Sequence, residues 1–247
     1  MKKLITTLVV GALLLSSSFA QLSFGVRGSL GVSDMTIADE TKKKLGNELN
    51  AIMIAKGFPY SSTDVDNKTI LCGGFALWGN YSFEKIPALG LQTELGFLFN
   101  NGTELTTETK SGTVKMEVKD KITYTTMELP FLVTFTVNKG GFFEFTPQAG
   151  IYLSFPISKI KQEMDVKGKL NGVTVTENSS ERSYNLDNAF IFGTAFGADF
   201  AFNFSKKSAL VLNARYMIDL GELKSDGDKV GTRKVFLMSA GYRYTFR

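Results

Sequence analysis

The sequence predicts an all-β protein: an eight-stranded antiparallel up-and-down transmembrane β-barrel with short periplasmic turns and long extracellular loops. Three observations predict it. They are an export signal at the N-terminus, apolar side chains at every second position over many segments, and connections that alternate between long and short. A closed barrel also satisfies every backbone polar group in lipid, which an open sheet does not.

Residues 1–20 have the form of a cleaved secretory signal peptide. A positively charged start is followed by an apolar segment at 4–15 and by a small–x–small motif that directs cleavage between Ala20 and Gln21. The alternative, a buried N-terminal helix, is disfavoured because the signal-peptide pattern is complete. Cleavage leaves residues 21–247 as one outer-membrane β-barrel domain.

Composition agrees with a barrel. After residue 20 no segment resembles a transmembrane helix, and 21 Phe and 24 Gly against 5 Pro suit an aromatic-rich sheet. The single cysteine, Cys72, rules out an intramolecular disulfide, and we interpret it as a small inward-facing residue rather than a nucleophile. A net charge of +4, which falls when the signal peptide is removed, is too near neutral to predict binding to nucleic acid.

Apolar residues at every second position predict where the strands lie, because a β-strand with this pattern has one face in an apolar medium and one in a polar medium. The eight strands are predicted at 22–34, 69–83, 90–109, 113–137, 142–171, 186–204, 209–220 and 233–247. In the third strand the alternation places Asn100 on the inward face. Aromatic residues gather at the end of the last strand, as they do where a membrane strand crosses the interface.

The connections after the first, third, fifth and seventh strands are long, and the others are short. This sorting is typical of outer-membrane barrels. The first long connection is predicted to contain a helix at about 39–56, whose apolar stripe either folds back over the barrel mouth, which we favour, or binds a partner. The stretches at about 101–121 and 158–185 are predicted to project beyond the membrane as polar hairpins.

Charged residues of both signs fall on the predicted inward faces. They are Arg27, Glu94, Glu128, Glu144, Asp199, Arg215, Asp219 and Arg243. An eight-stranded barrel is just filled by its side chains, so these charges predict a buried ion-pair network in the lumen. The functional alternative is a lumen that conducts protons or ions.

The chemistry of the chain argues against an enzyme. Histidine is absent, although it is the usual base of hydrolases built on small outer-membrane barrels. A two-carboxylate site at Glu94 and Glu128, on adjacent predicted strands, is less favoured than a structural ion pair. No cluster suits a metal, and no motif suggests a cofactor.

Four segments, GVRGSLGVSDM, MELPFLVTF, QAGIYLSF and LMSAGYRYTF, together resemble the PorT-like outer-membrane β-barrel family. The resemblance implies an integral outer-membrane protein, and some relatives assist a secretion machinery. It also implies that Tyr242, Tyr244 and Phe246 form a C-terminal assembly signal, although the chain ends on Arg247 rather than on an aromatic residue. No catalytic residues are carried over.

Three functional hypotheses follow. The first is an interaction barrel whose hairpins and loop helix bind a surface or envelope partner. The second is a narrow pore or transporter, and the third is a soluble periplasmic lipid-binding barrel. The expected partners are outer-membrane lipid, lipopolysaccharide and an envelope or secretion-machinery protein, with the barrel itself monomeric.

Overall fold

A computed structural model describes residues 21–39, 41–43, 47, 51, 54, 65–111, 114–170, 173–225 and 227–246. The strands are β1 (Gln21–Ile37), β2 (Val65–Lys68), β3 (Ile70–Ser82), β4 (Leu89–Ser111), β5 (Val114–Phe135), β6 (Phe143–Pro156), β7 (Ile160–Leu170), β8 (Val173–Tyr184), β9 (Ile191–Asn203), β10 (Ser208–Asp219), β11 (Leu223–Ser225) and β12 (Asp228–Phe246). The predicted signal peptide lies outside the described residues. Those described within 39–56 are helical, but the predicted apolar stripe of that helix also lies outside them.

Eight of these strands form a closed ring in the order β1, β3, β4, β5, β6, β9, β10, β12 and back to β1. All pairs in the ring are antiparallel, and the first and last strands meet from Leu22 opposite Phe246 to Ile37 opposite Gly231. The predicted eight-stranded up-and-down barrel is therefore confirmed. Closure removes the free edges that an open sheet would expose.

The other strands all lie at one end of the ring and lengthen it. β2 pairs with the far part of β4, β7 with the far part of β5, β8 with β7, and β11 with β12. We call β2, β7, β8 and β11, with residues 101–124 of β4 and β5, the extension. At the opposite end, called the turn end, short connections at 83–88, 136–142 and 204–207 lie beside both termini of the ring.

The predicted fifth strand is divided in the structure. β6 ends at Pro156 and β7 begins at Ile160, and the two pair with successive parts of β5. β7 and β8 then form a hairpin of their own on either side of 171–172, which lie outside the described residues. The connection predicted at 221–232 also contains paired strands, because β11 folds back on β12.

A β-bulge in β4 reverses the alternation predicted for its second half. The register with β5 shifts between Leu98 and Asn101, and Asn100 and Gly102 have φ of 59° and 142°. Asn100 is therefore exposed, and Asn101 is the buried residue. The predicted inward position of Asn100 is wrong because a bulge adds one residue and turns every later side chain to the other face.

The extension has an apolar interior, so the prediction of polar hairpins is wrong for their inner surface. Buried side chains from β1, β4, β5, β7, β9, β11 and β12 meet there and form one cluster: Met35, Ile37, Leu105, Val118, Ile122, Tyr124, Ile160, Met164, Val166, Ile191, Leu223 and Val230. The extension is thus a packed continuation of the barrel. Burial of these side chains from water stabilises it.

The outward surface of the ring carries a band of exposed apolar side chains. Leu30 and Leu71 are each 76% exposed, and phenylalanines including Phe24, Phe75, Phe131, Phe196 and Phe200 are 37–52% exposed. Such a large apolar surface marks contact with a nonaqueous partner. Among the described residues, no helix has the length and apolar character to cross a bilayer.

If the band contacts lipid, a charge placed within it will weaken the fold. We expect Leu212→Lys, on the outward face of β10, to lower the free energy of unfolding in lipid vesicles by about 2–4 kcal/mol near the bilayer midplane. Urea titration followed by the gel shift between boiled and unboiled samples measures it. Leu212→Phe is the control, and equal stability of the two variants would contradict lipid contact.

Candidate functional site: the charged lumen

The inward side chains of β10 show how the lumen is layered. From the turn end to the extension they are Ala209, Val211, Asn213, Arg215, Met217 and Asp219, and all are buried. The apolar ones join two small apolar clusters, while Arg215 and Asp219 belong to two separate charged clusters. Apolar and charged layers therefore alternate along the barrel axis.

The first charged layer, the central cluster, contains Arg27, Glu94, Asp199 and Arg215. Arg215 donates two hydrogen bonds to Glu94, from Nη1 to Oε2 at 2.8 Å and from Nη2 to Oε1 at 2.7 Å. β10 and β4 are opposite each other in the ring, so this bidentate pair crosses the lumen. Arg27 also pairs with Glu94 and lies 3.7 Å from Asp199.

Neutral amides complete the central cluster. Asn213 donates to Asp199 at 2.6 Å, Gln148 donates to Asp199 at 3.2 Å, and Gln92 donates to Glu94 at 2.8 Å. The formal charges balance, with two arginines against two carboxylates. Balance matters here because an unpaired charge is costly to bury.

The second charged layer, the outer cluster, is built around Arg233. Its Nη1 donates to Glu128 at 2.8 Å, and its Nη2 donates to Asp219 at 3.1 Å and to Ser154 at 3.2 Å. Tyr152 also donates to Asp219. β12 and β5 are opposite in the ring, so the Arg233–Glu128 pair crosses the lumen as well.

Arg233, which is 1% exposed, is a lumen residue that was not among the predicted ones. The last predicted strand begins at 233, but its alternation is followed only from Phe236 onward, whereas β12 begins at Asp228. Arg233 has the same odd-numbered parity as the inward residues Val235 and Arg243. Extending the alternation by three residues would have placed it in the lumen.

The third pair lies at the turn end. Arg243 donates from Nη2 to Glu144 at 2.6 Å and to Asn203 at 2.9 Å. Glu144 also accepts a hydrogen bond from the backbone of Gly140 in the neighbouring turn, at 2.6 Å. The structure thus places all eight predicted lumen residues inside the ring, in three groups rather than in one network.

Other predicted positions are also located. Glu94 and Glu128 are each paired with a different arginine, Arg215 and Arg233, rather than with each other as a two-carboxylate site. Cys72 is buried in an apolar cluster. Phe246 lies at the turn end, with its ring centroid 4.9 Å from that of Tyr244 and 5.7 Å from that of Phe24, and Tyr242 contacts Phe204.

Residues 5–244 match the family described as outer membrane protein beta-barrel domain. No curated protein matches the sequence.

Three solved structures are similar to the barrel. The outer membrane protein OprG from Pseudomonas aeruginosa is 10% identical, with a TM-score of 0.45, 92% of this chain covered and 96% of that chain. Neisserial surface protein A is 10% identical, with a TM-score of 0.39 and coverages of 90% and 97%. Ail, the attachment invasion locus protein of Yersinia pestis, is 16% identical, with a TM-score of 0.35 and coverages of 92% and 99%.

We expect the two charged layers to respond differently to loss of an arginine. Arg233→Met leaves Glu128 and Asp219 without a cation, so we expect the free energy of unfolding to fall by about 3–5 kcal/mol. Arg215→Met should cost less, because Arg27 still pairs with Glu94. Urea unfolding in detergent micelles measures both variants.

A double variant separates charge from packing. Glu128→Gln combined with Arg233→Met removes one of the two unpaired carboxylates, so it should regain part of the lost stability. If Arg233→Met alone unfolds at the wild-type urea concentration, the outer cluster does not stabilise the barrel.

Proposed function

The chain belongs to the family of outer membrane protein β-barrel domains, and on that premise we propose that it is a non-catalytic interaction protein of the outer membrane. In such barrels the short turns face the periplasm and the long connections face the cell exterior. The extension is then the extracellular part. We propose that it binds a protein of the cell surface or envelope.

The observation that carries this proposal is the exposed edge of β8. Among the residues that the structure describes, β8 pairs only with β7, and residues 179–183 are exposed on both faces. An unpaired strand edge is a template for an extended segment of another chain. Barrels normally abolish such edges, so one held outside the ring favours an interaction role.

β8 is held in place by β7, which is itself paired and packed. β7 pairs with β5 from Val114 opposite Leu170 to Thr123 opposite Lys161, and its inner side chains Met164 and Val166 are buried in the apolar cluster of the extension. β8 is therefore positioned before any partner arrives. Preorganisation of this kind lowers the entropy cost of binding.

The charges of the extension suit a protein partner. On the outward face, Lys119 lies opposite Asp165 and Lys121 lies opposite Glu163. Charges of both signs favour specific complementarity over general attraction to an anionic surface. The PorT-like resemblance adds a component of a secretion machinery as one class of partner.

The two alternatives have less support. A narrow pore would have to pass the central cluster, the outer cluster and the apolar interior of the extension. A soluble lipid-binding barrel would need an apolar lumen and a polar outer surface, which is the reverse of the arrangement in this ring. The proposed role is non-catalytic because the chain has no histidine and the five predicted lumen carboxylates, Glu94, Glu128, Glu144, Asp199 and Asp219, pair with arginines.

Site-specific cross-linking in intact cells tests the interaction role. A photoreactive amino acid at Glu181, exposed on β8, should capture one reproducible protein partner, identified by mass spectrometry. The matched control carries the same amino acid at Lys207, exposed at the turn end, and should not capture that protein. Capture of lipopolysaccharide alone, or of the same protein from both positions, would contradict the proposal.

Conductance tests the pore alternative separately. We expect the purified protein in planar bilayers to give no steady single-channel currents, because charged and apolar layers fill the lumen. A porin inserted in the same bilayer provides the positive control. Stable unitary currents from the wild-type barrel would favour the pore instead.

A further inference from the structure

The turn end of the lumen contains a cavity of about 420 Å³. We call it the vestibule and define it by Trp78, Asn80, Glu144, Asn203, Lys206 and Arg243, which line it. The central cluster closes its inner side, since Asp199 also lines it. With the turns facing the periplasm, the vestibule is a blind, polar site open to periplasmic solutes.

The inner wall of the vestibule includes the sole tryptophan of the chain. Trp78 is 4% exposed and lies directly opposite Gly25 on β1, where its indole occupies the space that a side chain would take. Its Nε1 is buried and has no acceptor among the described residues. A buried indole N–H normally finds a partner, so this donor indicates that a polar acceptor belongs nearby.

The remaining polar groups can both donate and accept hydrogen bonds. Ser23 and Thr245 share a hydrogen bond at 2.9 Å, Thr136 and Thr146 share one at 3.1 Å, and Asn203 contributes an amide. Hydroxyl and amide groups suit ligands that carry many hydroxyls, because such ligands need donors and acceptors in alternation. A peptide would instead need apolar pockets, and the vestibule is lined mainly by polar side chains.

Cations outnumber anions in the lining. Lys139, Lys206 and Arg243 lie in the lining with Glu144 and Asp199. Arg243 pairs with Glu144, and Asp199 is bound by Arg27 and Asn213, so the excess of positive charge comes from the lysines. Lys206 is exposed in the turn at 204–207. The excess positive charge therefore lies at the open side of the vestibule, where it would attract an anionic group.

The geometry points to a small saccharide that carries a carboxylate as the ligand of the vestibule. The sugar ring lies near the indole of Trp78, its hydroxyls bond to the serine, threonine and asparagine side chains, and its carboxylate lies beside Lys206 and Arg243. This site is at the opposite end of the barrel from the β8 edge. It goes beyond the interaction role, and either can fail without the other.

Tryptophan fluorescence provides a direct test, since Trp78 is the only emitter of its kind in the chain. Titration of the purified barrel in detergent micelles with N-acetylmuramic acid should give a saturable change in emission. N-acetylglucosamine, which lacks the carboxylate, should bind at least about tenfold more weakly, because a charge-assisted hydrogen bond is stronger than a neutral one. Acetate, which lacks the sugar, should give no saturable change.

A matched pair of variants locates the site. Lys206→Gln should weaken binding of N-acetylmuramic acid in calorimetry and leave N-acetylglucosamine unaffected, while Lys224→Gln at the extracellular end should change neither. The gel shift between boiled and unboiled samples verifies that both variants fold. The proposal is overturned if N-acetylmuramic acid gives no saturable response, if acetate reproduces it, or if the two variants behave alike.

Discussion

The architecture depends on burying charge inside a ring of only eight strands. In so narrow a barrel, side chains from opposite strands meet, and each charge must find its counter-ion across the lumen. Arg215 reaches Glu94 and Arg233 reaches Glu128 in this way, each from the facing side of the ring. These pairs connect strands that share no backbone hydrogen bonds. They favour one register of the closed sheet because a slip would leave charges unpaired.

Charged and apolar side chains fill the middle of the lumen, so binding sites can form only at the two ends of the barrel. At one end, the apolar interior of the extension supports the β7–β8 hairpin and holds the edge of β8 outside the ring. At the turn end, the Arg243–Glu144 pair borders a polar vestibule. The outward face of the ring is an exposed apolar band. Recognition by this barrel is therefore expected at its ends, where water and backbone groups are accessible.

Two local irregularities in the strands limit how far the alternation of inward and outward residues predicts the structure. The bulge at Asn100 adds one residue to β4 and turns Leu105 into the interior of the extension. A second break at 157–159 divides the predicted fifth strand and lets β7 continue along β5. Neither irregularity interrupts the polar and apolar alternation strongly enough to be seen in the sequence. Both become evident only when a neighbouring strand sets the register.

The sequence by itself determined the barrel, the number of strands in the ring and the inward position of Arg27, Glu94 and the other predicted charges. It could do so because successive side chains of a barrel strand point alternately to the lipid and to the lumen. Apolar and polar residues therefore alternate along the sequence with a period of two. Tertiary structure alone decided which charges pair, since partners such as Glu94 and Arg215 lie far apart in the chain. It also decided the apolar extension, the position of β8 outside the ring and the vestibule, because each depends on how separate strands are aligned around a closed ring.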